Sequence, residues 1–182
     1  MTPKPPVTVQ YDLGNLERDH PVLFAEYFLF PFLVRTSASP GSTVNIDVGT
    51  RTAGTRGKPH RTTWQLKVPA TTDPAKVHKC QASVAAKVVT ENAAILVAAA
   101  QLASLNLAFE QVTLAGDRGD YWLVDSAGQN AGLCEVSGTT AQSRSSLYQE
   151  KRLQVLRNPT ASACYVTVTN FQELEGNFCR VR

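Results

Sequence analysis

Most of the short patterns that announce a reaction are missing from this 182-residue chain. Its four cysteines, Cys80, Cys134, Cys164 and Cys179, form no Cys-x-x-Cys pair and no cluster with histidine. That argues against a zinc site. The three histidines, His20, His60 and His78, lie outside the strand-rich C-terminal part. A Ser-His or Cys-His catalytic pair therefore has no evident base there. No Gly-x-Gly-x-x-Gly follows a strand, so hydride chemistry is unsupported. Ser137-Gly138-Thr139-Thr140 fits neither the Gly-x-Ser-x-Gly elbow nor a Walker A loop.

Long apolar runs are also lacking. The longest, residues 22–34, is interrupted by Glu26 and Pro31. It falls short of the roughly 20 residues a membrane helix needs, so it reads as a core segment and no membrane partner is expected. The net charge of +3 is too mild to argue for nucleic acid by itself. The first residues, Met-Thr-Pro-Lys-Pro-Pro, are polar, and no signal peptide follows. Cys134 and Cys164 sit in predicted strands as small hydrophobes. A reduced, cytoplasmic protein is the expectation.

What is present is an ordinary globular composition, 43% apolar and 18% charged. The length suits one compact domain. A β-rich N-terminal segment is expected over residues 1–72, followed by an α/β core over 73–182. Residues 7–11 alternate as a strand does. In residues 22–34 the aromatics Phe24, Phe28, Phe30 and Phe32 all fall at even positions. This favours a strand, with a short helix ended by Pro31 as the alternative. Left uncovered, these rings would form a partner site. Val44, Ile46 and Val48 alternate with polar residues, as do Trp64, Leu66 and Val68, which predicts a long hairpin. Its tip carries Arg51, Arg56, Lys58, His60 and Arg61 with no acid. A tip of this kind suits phosphate backbones or an acidic protein surface, and equally a solvated loop.

Asp73-Pro74 reads as a helix start, Asp as N-cap and Pro at the first helical position. Apolar residues then recur at three-four spacing from Val77 to Leu105, with a break placed near Glu91-Asn92. Glu91 falls on the apolar stripe, where a carboxylate has to be paired, protonated, metal-bound or turned outward. Strands are predicted over 107–114, 120–125, 131–137 and 164–171. A helix is predicted over about 146–157, with Ser146 and Gln149 at capping-box spacing. The tail, 173–182, has room for one more strand. Across the hairpin of the middle two strands, a four-residue loop sets Asp120 opposite Glu135. A five-residue loop sets it opposite Val136, so a slip of one residue decides whether the acids meet. Leu133, Glu135 and Ser137 share one face of their strand. Two adjacent carboxylates repel unless one is protonated or a cation lies between them. Mg²⁺ is the usual such cation, and it can activate water against a phosphodiester.

Helix, three strands, helix and strand, with Asp120 on the second strand and Glu135 on the third, resembles the PD-(D/E)xK restriction-endonuclease-like superfamily over about residues 73–171. The resemblance implies an α/β (α+β) fold with a mixed sheet. It also implies Mg²⁺-dependent phosphodiester hydrolysis, with Asp120 and Glu135 as metal ligands. Glu91 would match the helix acid, and Lys151 or Gln154 the residue supplied by the second helix. The motif reads Glu135-Val136-Ser137, so its lysine is missing. Lys151 can take its place, as in superfamily variants. The alternative is a non-catalytic interaction or scaffold subunit that binds nucleic acid, other proteins or itself through the aromatic run and the basic hairpin.

Overall fold

The computed structural model describes residues 7–52, 59–113, 119–141 and 143–182. The tip residues Arg56 and Lys58 lie outside these. The elements run β1 (Val7–Asp12), a 3-10 turn (Leu13–Asn15), α1 (Leu16–Asp19), α2 (Ala25–Thr36), β2 (Thr43–Thr52), β3 (His60–Lys67), α3 (Pro74–Ser83) and α4 (Ala86–Ala103). Then follow β4 (Leu107–Val112), β5 (Tyr121–Asp125), β6 (Asn130–Thr139), α5 (Arg144–Leu156), β7 (Cys164–Asn170) and β8 (Glu175–Arg180). All eight strands form one mixed sheet in the order β1-β3-β2-β8-β7-β6-β5-β4. This is the expected α/β class, with the helix-strand-strand-strand-helix-strand order from α4 to β7.

The expected hairpin is β2 with β3, antiparallel, with Val44 opposite Leu66. β1 joins parallel to β3. β8 pairs parallel with β2 and antiparallel with β7, so the N-terminal strands and the later ones share one sheet. Helices cover it on two sides. α4 packs on β6, β4 and β7, α2 packs on α4 and α3 on α2, and α5 packs on β7 and β6. Strand alternation sorts the cores accordingly. Cys134 and Val136 enter the large core with Phe32, Ile46, Leu66 and Leu96. Leu133 points the other way, to Leu147, Val155 and Val166.

The run at residues 22–34 forms no strand: from Ala25 on it is the helix α2, which continues past Pro31 to Thr36. Ala25, Phe28, Leu29, Phe32 and Leu33 recur at helical spacing, and Leu29, Phe32 and Leu33 are buried on that stripe. Pro31 lies inside α2 and brings no N–H for the carbonyl of Tyr27. Asn92 of α4 fills that vacancy, its Nδ2 donating to Tyr27 O at 3.1 Å. A helix–helix contact thus completes what the sequence of α2 leaves open.

Asp73 caps α3 as expected, accepting from Ala75 N at 2.9 Å, with Pro74 at its first position. The helical stretch breaks at Val84-Ala85 and not at Glu91. The break turns the buried stripe of α4 to Val89, Ala93, Leu96, Val97 and Ala100, leaving Val88 exposed and Glu91 outside the packed face. α4 is long and apolar enough to cross a bilayer, but 61% of it is buried in the fold, as the core helix of a sheet protein must be. α5 begins two residues before the expected start. Ser143 is its N-cap without a side-chain bond, and Ser146 Oγ donates to Ser143 O at 3.0 Å, so the capping box does not form.

Two contacts fix α4 against the sheet. His20, fully buried, bridges from Ala99 O (2.8 Å, at Nε2) to Phe109 N (3.1 Å, at Nδ1). Nε2 therefore carries the proton and Nδ1 accepts, the neutral tautomer. At Gly138 a Cβ would stand 2.5 Å from Thr90 O, so only glycine allows α4 to cross β6 this closely.

Candidate functional site

The pairing of β5 and β6 sets Tyr121 opposite Cys134. The pairing ends there: Asp120 precedes β5 and belongs to no pair of the register, so neither the four-residue nor the five-residue arrangement is carried as far as the two acids. A bulge between Leu123 and Val124 reconciles that register with the turn. Asp120 is tied to β6 outside that register. Its backbone N donates to Cys134 O at 2.9 Å, and its Oδ2 accepts from Val136 N at 2.7 Å.

Glu135 points to the α5 side and is fully buried. Lys151 and Gln154, one turn apart on α5, reach it together. Lys151 Nζ donates to Oε1 at 2.6 Å, and Gln154 Nε2 donates to Oε2 at 3.1 Å. Lys151 Nζ also meets Gln154 Oε1 at 3.3 Å. The cluster therefore satisfies both oxygens of a carboxylate that water does not reach, which a buried charge requires.

The electrostatics follow from that burial. Burial first, and then the Asp120 carboxylate, push Glu135 up to about 7, against the bond and charge of Lys151. Burial also raises Asp120. The Val136 N–H and Lys151 oppose the rise, and Glu91 adds to it. Burial works against the Lys151 ammonium, but its bond to Glu135 and the charges of Glu135 and Asp120 outweigh this and hold its pKa above the usual lysine value. Asp120, Glu135 and Lys151 are one coupled group.

Glu91 stands apart on α4. Its side chain is half exposed and pairs with Lys87 at 3.7 Å. With Lys151 it lines a cleft of about 480 Å³, whose walls also include Arg35, Lys87, Ser137 and Thr140. Among the described residues no three His, Cys, Asp or Glu side chains gather as a metal cage. The oxygen donors on offer are Asp120 and Glu135. Mg²⁺ is commonly held by one or two carboxylates with waters completing the shell, so binding it here would require Glu135, sealed from water with both oxygens engaged, to open toward solvent.

The hairpin cations stand elsewhere. Arg51 is exposed on β2 and Arg61 on β3, with His60 exposed at the head of β3. β8 and β7 separate their strands from β6. Of the aromatic run, Phe24 and Tyr27 are exposed and meet edge to face at 6.0 Å, while Phe32 is in the core. Arg35, Lys87 and Ser137 were not among the expected site residues. They come from α2, α4 and β6, and only the tertiary fold gathers them. Comparison of the chain with protein-family models, curated proteins and solved structures finds no match.

Proposed function

We propose that this is a nuclease-like protein in which Asp120 and Glu135 hold Mg²⁺ for phosphodiester hydrolysis and Lys151 takes the place of the missing motif lysine. The observation that carries the reading is the meeting of Lys151 with Glu135 beside Asp120. A lysine from the second helix arrives at the third-strand acid, where Ser137 cannot serve. The run from α4 to β7 supports it by repeating the element order of the PD-(D/E)xK superfamily. The open cleft that Lys151 lines supports it further.

Bound Mg²⁺ would polarise a phosphoryl oxygen and lower the pKa of a water. The chain's own residues do the rest. Val136 N–H orients Asp120, and Gln154 holds one oxygen of Glu135 in place. Lys151 favours the anionic form of Glu135 against its burial, and its ammonium is placed to neutralise charge that develops on a phosphate in the cleft.

The non-catalytic reading draws on a different observation. Glu135 is closed off from water with both oxygens engaged, while Phe24 and Tyr27 lie open for a partner. One experiment separates the two: thermal denaturation under Mg²⁺ and Mn²⁺ titration, on the wild type, Glu135→Ala and Asp120→Asn. A metal-dependent rise that both variants abolish supports the metal site, and cleavage of labelled oligonucleotides is then the assay to run. An unchanged transition at millimolar metal sinks the metal-site reading in favour of the non-catalytic one.

A further inference from the structure

We propose that the cleft between α4 and α5 is a phosphate-binding site in its own right, with Arg35 of α2 as its main cationic contact. This deepens the reading above and rests on it for the choice of a nucleotide phosphate over other anions.

Cations converge on this cleft from three elements: Arg35 from the end of α2, Lys87 from the first turn of α4 and Lys151 from α5. Among the lining residues the only acid is Glu91, and Lys87 faces it at 3.7 Å. Among the described residues no carboxylate lies within salt-bridge distance of Arg35 (the pairs found are those of Arg18, Lys67, Lys76, Lys87, Arg144 and Lys151). Its Nη2 donates to Ala86 O, and its Nε is buried with no hydrogen-bond partner. The guanidinium is therefore held in place and not neutralised.

The first turn of α4 adds to the field. It has no side-chain cap and no acid, and Ala86 and Lys87 line the cleft. The positive end of an 18-residue helix thus opens where the three cations meet. Lys87 and Lys151 each face a carboxylate, Glu91 and Glu135, so the positive excess that favours an anion comes from Arg35 and the helix end. Hydroxyls of Ser137 and Thr140 supply further donors on the β6 side. At about 480 Å³ the space exceeds a lone ion and falls in the range of small-molecule sites. A phosphate carrying a nucleoside fits both the charge and the room. Arginine suits it through its planar, bidentate fork.

The test is isothermal titration with divalent metal chelated and ionic strength fixed. The probes are inorganic phosphate, a deoxynucleoside 5′-monophosphate and a short oligonucleotide with hydroxyl ends. The wild type is expected to bind the nucleotide. Arg35→Gln should weaken it by about tenfold, equal to 1.4 kcal/mol, and Lys87→Gln by about two- to fivefold. Lys87 is 86% exposed, so its variant keeps the fold and serves even where Arg35→Gln does not. Preference for the monophosphate assigns the site to a strand end, and equal binding of the oligonucleotide assigns it to an internal phosphate. No binding by the wild type at millimolar probe overturns the proposal, as do variants that bind like the wild type. The metal titration above contains no phosphate and this one contains no metal, so either site can fail alone.

Discussion

Lys151 Nζ lies 2.6 Å from Glu135 Oε1, and the two partners differ in solvation: the carboxylate is sealed from water while the lysine side chain keeps 20% of its exposure. The pair spans the seam between α5 and β6. It serves packing and chemistry at once, because the cation that stabilises the buried acid is also the one that reaches the cleft.

Lys151→Met removes that cation and leaves Glu135 with the Gln154 amide alone. Breaking one side of a buried ion pair costs about 3–5 kcal/mol. The solvent contact of Lys151 places this variant at the low end. Urea unfolding at neutral pH should show the loss. The gap to the wild type should narrow as pH falls toward 4.5, because a protonated Glu135 has no charge to leave unpaired. A gap that stays constant with pH would remove the ion pair from the account.

The pH dependence of the wild type carries a second signature. Burial, and the neighbouring Asp120, raise Glu135 from 4.5 to about 7. The folded protein then holds this proton more tightly than the unfolded chain. The stability it contributes is complete below 4.5 and is lost as pH rises through 7. Asp120, also raised by burial, adds to the same slope. His20 opposes it. Burial lowers its pKa, against the pull of the Ala99 carbonyl and of Asp19, so its contribution is complete above 6.5 and is lost as the pH falls through that lowered value. Subtracting the stability profile of Glu135→Gln from that of the wild type isolates the Glu135 part. The difference should decline between about pH 4.5 and 7.

Asn92 and Pro31 form a testable couple. Asn92→Ala should cost about 1 kcal/mol, since the Tyr27 carbonyl loses its side-chain donor. In a Pro31→Ala background the backbone N–H returns to that carbonyl, and the same substitution should become nearly neutral. A double-mutant cycle measures the coupling, and strict additivity would show that Asn92 does not substitute for the missing N–H.

How much of this was legible in the sequence varies with the range of the interaction. Asp73-Pro74 marks the start of α3 through a bond two residues long, and alternation around Glu135 gives the two faces of β6. α2 was missed because four phenylalanines at even positions imitate a strand. The deciding contacts come from α4, which supplies the apolar surface for Phe32 and the donor for Tyr27. The break at Val84-Ala85 has no local signal, since alanine favours a helix. At the site, Asp120 and Glu135 stood out because a hairpin joins them. Lys151 and Gln154 entered only through the family resemblance. Arg35 gave no signal, and Ser137 none beyond sharing the face of Glu135, because the cleft they line joins segments about a hundred residues apart in sequence.

β8 is the last strand of the sheet in chain order, yet it occupies an interior place between β2 and β7. The β1-β3-β2 group and the β4-to-β7 group cannot close into one sheet until it arrives. During synthesis β2 and β7 therefore each present an unpaired edge, and long-range pairings of this kind form slowly. The folding of this chain should be sensitive to delay at that step, with the two waiting edges as the places where self-association begins.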